Sequence, residues 1–214
     1  MVRLYRVGRV VVFPHTSAAL RVAEPSDLVL IDDALAGDRL VALAAMAPGW
    51  EGERPHRGPG QPAACLARIA AWSDGGPAGY NVLFWGVARL RILSELGLRH
   101  GVRQARVEVC EDYYPLDDAQ RAVLYDRLLE VLAGAGAGLG TQGLWGARER
   151  VPLGVLADMV AQSVELPWAE KEALLAECNV HRRAERLLCC LAALAEAPAC
   201  SPARGRLSAG PDPN

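Results

Sequence analysis

Lysine is almost absent from this 214-residue chain: Lys171 stands alone among 23 basic residues, and the rest are arginine. No G-x-x-x-x-G-K-[ST] run surrounds Lys171, which follows Glu170 inside a helical pattern, so it holds no phosphate loop. A mechanism that needs a second lysine is excluded. No G-x-G-x-x-G follows a strand pattern, and no G-x-S-x-G elbow is present. The six cysteines (Cys65, Cys110, Cys178, Cys189, Cys190 and Cys200) lack C-x-x-C spacing, and the four histidines lie far apart. Cys178 and His181, followed by Cys189 and Cys190, offer soft ligands, but cysteine in an apolar helix reads as a small buried hydrophobe. Neither metal nor cofactor is expected, and the cysteine usage suits a reducing, cytoplasmic setting. The first residues have no apolar h-region, and no run of 18 apolar residues exists. An excess of one charge is missing too: the net charge is −2, which asks for neither nucleic acid nor anionic lipid.

What is present is apolar residue, 51% of the chain, and its periodicity divides the chain in two. Residues 1–112 read mainly as strands. Val2–Val7 alternates with period two, and Val10–Phe13 is a β-branched run stopped by Pro14. Ser26 looks like the N-cap of a short helix with Leu28, Ile31 and Leu35 on one face and Gly37 as its stop. Arg39–Met46 is strand-like. Residues 48–62 are dense in Gly, Pro and charge and read as an exposed loop. Ala64–Ser73 and Tyr80–Leu93 flank a Gly-rich turn, which predicts a long hairpin, and Val102–Cys110 alternates once more. Residues 113–197 turn helical: Asp117 and Gln120 form a capping-box pattern, and helices are expected over Leu153–Ser163, Pro167–Cys178 and Val180–Glu196, the last capped by Asn179. Glycine-rich 134–146 reads as a connector and 198–214 as a disordered tail. Strands first and helices second predict an α+β fold. The adjacent carboxylates Asp32-Asp33 and Asp117-Asp118 read as solvated or capping pairs, not as an acid–base dyad.

Several segments together resemble the N-terminal, substrate-binding domain of Lon proteases. Val2-Arg3-Leu4-Tyr5-Arg6-Val7, followed by the β-branched run into Phe13-Pro14, is similar to that family's opening. Leu20–Glu24-Pro25 resembles its strand ending in Phe-Glu-Pro. Cys65-Leu66-Ala67-Arg68-Ile69, Gly79–Ile92 with Gly86, Arg89 and Arg91, and Val180–Leu188 match in order and spacing. The departures are His15 for glycine after Phe-Pro, Ala23 for the aromatic before Glu-Pro, and Ser26-Asp27 for Arg-Tyr after it.

The resemblance implies a PUA-like β pseudo-barrel with one short helix, followed by a small C-terminal α-helical bundle. It implies a non-catalytic protein that recognises unfolded or tagged polypeptide, as an adaptor or regulator of proteolysis, alone as an oligomer or with a separate protease. The ATPase and Ser-Lys peptidase domains of full Lon proteases are not carried over. Phe13, Pro14, Glu24, Pro25, Gly86 and Arg89 are expected to be structural, with Glu24 pairing Arg89 or Arg68. Trp50, Trp72, Tyr80, Phe84 and Trp85 are the candidate polypeptide-gripping aromatics. Phe84 and Trp85 are adjacent on one strand, so they face opposite sides and only one of them faces out unless the strand is covered twice. RNA binding is the alternative, because PUA-like barrels also serve RNA-binding proteins and Arg3, Arg6 and Arg9 recur along the first strand.

Overall fold

Alternating apolar residues build six strands: β1 (Val2–Val7), β2 (Ser17–Val22), β3 (Leu40–Ala45), β4 (Ala63–Asp74), β5 (Tyr80–Arg99) and β6 (Val102–Cys110). The helices are α1 (Pro25–Ala36), α2 (Asp118–Gly134), α3 (Leu153–Ser163), α4 (Trp168–Ala176) and α5 (Val180–Glu196). The computed structural model describes residues 1–8, 10–46, 63–76, 79–134 and 151–196. The expected loop at 48–62, the tail at 198–214 and almost all of the connector at 134–146 lie outside the described residues.

The strand order is β2-β5-β4-β3-β1-β6, and β6 pairs again with β5. That second pairing closes β5-β4-β3-β1-β6 into a ring, with β2 added outside it. β5 makes closure possible by its 20-residue length: its first part pairs β4 and its last part pairs β6. Register slips at Val87, Ala70 and Leu93 bend the two ladders, as bulges do. The ring interior holds Leu4, Ala42, Ala44, Ala64, Leu90 and Ala105, drawn from all five strands and from no helix. Four alanines in that set fit the narrow bore of a five-stranded ring, where larger side chains would collide.

The outer faces of the same strands form the main core. Val41, Cys65, Ile69 and Phe84 join Ile31 and Ala34 of α1 and, beyond residue 112, Leu128, Leu156, Leu174 and Leu187 of the helices in one cluster. Leu187, Leu188 and Leu191 are buried and Leu194 is 40% exposed, so the α5 leucine face is bundle interior. The expected α+β fold of pseudo-barrel, short helix and helical bundle is therefore present.

Some local expectations fail for identifiable reasons. Val10–Phe13 forms no strand. Val11, Val12 and Phe13 are buried in the core, and the Phe13 N–H donates to Gln162 Oε1 of α3 at 3.2 Å instead of to a ladder. Ser26 is not a cap: α1 begins one residue earlier at Pro25, with Glu24 in the cap position and no side-chain cap bond. Asp117 and Asn179 do cap. Gln120 N–H donates to Asp117 Oδ1 at 2.8 Å, and the His181 and Arg182 N–H groups donate to Asn179 Oδ1 at 3.1 and 3.2 Å.

Glu172 of α4 is 7% exposed, and its Oε1 finds no partner among the described residues. Burial raises its carboxyl from 4.5 to about 7. The folded state then binds a proton that the unfolded chain has already released, so stability falls as pH rises through that window. Glu172→Gln is expected to stabilise the protein at pH 8 by on the order of 2 kcal/mol and to leave it unchanged near pH 4. Urea unfolding at the two pH values checks this, and an equal effect at both would remove the explanation.

Candidate functional site

Cross-strand partners in an antiparallel ladder point to the same face. Following the register from β3 outward gives one row: Leu40 opposite Arg68, Arg68 opposite Trp85, Trp85 opposite Ser17. The row beside it on the same face is Ala42, Leu66 and Ala88. Leu40 and Leu66 line an open cavity of about 430 Å³ at the mouth of the ring, together with Val2, Leu90, Val107 and Val109. Its rim is charged by Arg3, Asp33, Asp38 and Arg99. Trp85 therefore lies two strand spacings, roughly 10 Å, from the mouth, on the same side of the sheet. Its neighbours on β5 extend the apolar surface: Leu83 is 38%, Trp85 48% and Val87 42% exposed.

The predicted aromatics separate cleanly. Trp85 faces out. Phe84 does not: it is fully buried, partnered with Ile69 of β4 and Ala18 of β2 and 6.3 Å from the Tyr5 ring, so it is withdrawn from the gripping set as a core residue. Trp72 is half-exposed at the far end of β4, with the Arg39 guanidinium 5.3 Å over its ring. Tyr80 is partly exposed, and its hydroxyl donates to Asp32 Oδ1 at 2.8 Å, a bond that pushes the phenol above its usual range. Trp50 lies outside the described residues. Sequence reasoning missed Leu83, Leu40, Leu66 and Arg68. Only the strand register brings them together, and no local motif marks it.

The expected structural residues are mostly explained by contacts. A Cβ on Gly86 would overlap the Phe13 carbonyl oxygen, because His15 N–H donates to Gly86 O at 2.9 Å and Gly86 N–H to Thr16 O at 2.8 Å. Phe13 and Pro14 are buried beneath this crossing. Glu24 is exposed and partners neither arginine as expected. Arg89, 4% exposed, instead donates to Leu175 O at 3.0 Å and pairs Asp112 at 3.2 Å and Asp158 more closely. Arg183, fully buried, closes the set: its Nη2 is 2.7 Å from Asp112 Oδ2 and its Nε 3.4 Å from Asp158 Oδ1. This network joins β5 to α3 and α5. One signal points to it in the sequence: Asp158 interrupts the apolar face Leu153, Leu156, Ala157, Val160, Ala161, and a carboxylate there needs a buried counter-charge.

The arginines of β1 are likewise engaged within the fold. Arg3 contacts Asp33 and Asp38, and Arg6, 7% exposed, pairs with Glu95; Arg9 lies outside the described residues. Among the described residues no cluster of His, Cys, Asp or Glu has the make-up to hold a metal ion. No helix among them is long and apolar enough to cross a membrane.

The family model of the ATP-dependent protease La (LON) substrate-binding domain matches residues 1–193. Among solved structures, the chain is similar to a Lon N-terminal domain protein from Xanthomonas campestris, at 19% identity and a TM-score of 0.64, over 88% of this chain and 96% of that one. It is also similar to the N-terminal domain of the Mycobacterium avium complex Lon protease, at 18% identity and a TM-score of 0.68, over 89% of this chain and 97% of that one. Curated protein sequences give no match.

Proposed function

This chain belongs to the family of Lon substrate-binding domains, and from that premise we propose that it binds unfolded or tagged polypeptide without catalysing a reaction on it, serving proteolysis as an adaptor or regulator. The observation that carries this reading is the single row from the ring mouth to Trp85. It joins an open cavity with apolar walls and a charged rim to an exposed apolar strip, with Arg68 between them. Such a surface suits extended segments with apolar side chains at intervals. Its apolar part offers area without a fixed polar template, and so tolerates many sequences. The cost of ordering a flexible segment keeps each contact weak, and avidity from a second copy or from a partnered protease offsets that cost. The RNA alternative is weaker at Arg3 and Arg6, which spend their charge on Asp33, Asp38 and Glu95.

The test is fluorescence binding of a permanently unfolded, labelled polypeptide at low and high salt. Trp85→Ala is expected to weaken binding about tenfold, as loss of an aromatic anchor does. Because the contact is apolar, affinity is expected to change little with salt, unlike phosphate contacts. Undiminished binding by the variant would move the site off this face, and a steep salt slope would return the RNA reading.

A further inference from the structure

Strand β6 ends at Cys110, and the turn between α4 and α5 carries Cys178. The backbone holds these two places side by side. Tyr113 N–H donates to Cys178 O at 2.9 Å, Val180 N–H donates to Tyr113 O at 3.0 Å, and Tyr113 and Asn179 form a parallel bridge. Burial first, and then the neighbouring Cys110, push the Cys178 thiol up, so the two side chains approach each other, and both thiols are free and partly exposed. Each also faces a carbonyl of its own segment, Cys110 Sγ at 4.0 Å from Glu108 O and Cys178 Sγ at 3.9 Å from Ala176 O.

The other described cysteines are placed differently. Cys65 is fully buried under the sheet, and burial pushes its thiol up to about 12. Cys189 and Cys190 are neighbours on α5, and Cys190 Sγ lies 3.4 Å from Glu170 Oε2. Only Cys110 and Cys178, distant in sequence, are brought together by the fold with access to solvent.

We propose that Cys110 and Cys178 are a reversible oxidation site, at which hydrogen peroxide forms a disulfide that ties the end of the barrel to the helical bundle. One thiolate attacks an oxygen of hydrogen peroxide, the O–O bond breaks, hydroxide departs and takes up a proton as water, and a sulfenic acid remains. The second thiol attacks that sulfur, the S–S bond forms, the S–O bond breaks, and a second water departs. Two thiols are oxidised and one peroxide is reduced to two waters. A dithiol reductant reverses the change. The bond lies beside the buried ion network, because Asp112 follows Cys110 by two residues and Glu177, whose carbonyl accepts from Arg183 Nη1 at 2.9 Å, precedes Cys178. It encloses a loop of roughly 70 residues, so it restricts the unfolded chain and slows separation of barrel from bundle.

The full chain is treated with hydrogen peroxide, alkylated, and mapped by mass spectrometry without reduction. The expected result is a linked Cys110–Cys178 peptide about 2 Da lighter than the two free peptides together. The thermal unfolding midpoint should rise by several degrees and return to its reduced value with dithiothreitol. Cys110→Ser and Cys178→Ser should each abolish the link and the shift, and Cys189→Ser should keep both. Sulfinic acid at either cysteine, linkage through other cysteines, or disulfide-linked dimers in place of the internal bond would overturn the proposal.

Discussion

Asp158→Ala is expected to cost about 3–5 kcal/mol of folding stability, the penalty for breaking a buried ion pair and leaving its partners uncompensated. Asp158 is 1% exposed and is contacted by both Arg89 and Arg183, which are themselves 4% and 0% exposed. Its removal leaves Asp112 as the one carboxylate still contacting both guanidinium groups among the contacts described, and Asp112 is partly open to solvent. Urea unfolding checks the magnitude. A loss under about 1 kcal/mol would place the network with exposed ion pairs and would mean that apolar packing alone joins barrel to bundle.

The adjacent pair Phe84 and Trp85 carries the second large effect. Phe84→Ala is expected to destabilise the protein by about 3–5 kcal/mol, because it empties a filled site between Tyr5, Ala18 and Ile69. Trp85→Ala, one residue away on the opposite face, is expected to change stability by no more than about 0.5 kcal/mol while weakening polypeptide binding. Thermal and urea unfolding of both variants, beside the binding measurement, separates the two roles. If Trp85→Ala destabilised as much as Phe84→Ala, the outward strip would be a structural surface and the proposed site would fail with it.

Much of the fold is legible in the sequence because its signals are local. Alternation marks β1 and β6, the glycines of 75–79 mark the hairpin, and Asp117 and Asn179 announce helix starts with their own side chains. What the sequence hides depends on distant partners. Val10–Phe13 has strand composition, yet nothing local says that the Phe13 N–H will meet Gln162 and that Val11, Val12 and Phe13 will seal the core. Ring closure depends on β5 bending at its bulges, and bulges break the alternation that would reveal the strand's full length. Arg89 stands out as a motif residue, but its counter-charges are 23 and 69 residues away. The candidate site is half legible for the same reason. Composition points to Trp72 and Trp85, and the neighbours that make a surface of Trp85 are fixed by pairing across three strands.

The closed ring also bears on how the chain is made. β1 has two neighbours: β3 begins at residue 40, but Val2 meets its β6 partner only at Ala105. As the polypeptide leaves the ribosome, the first strand therefore waits with one edge open until residue 105 has emerged. Arg89 is synthesised before Asp158 and Arg183, its partners in the buried ion network. Pairings between ends so far apart assemble slowly, and unpaired edges invite wrong partners meanwhile. A chain proposed to bind unfolded segments thus passes through such a state itself while its ring is open.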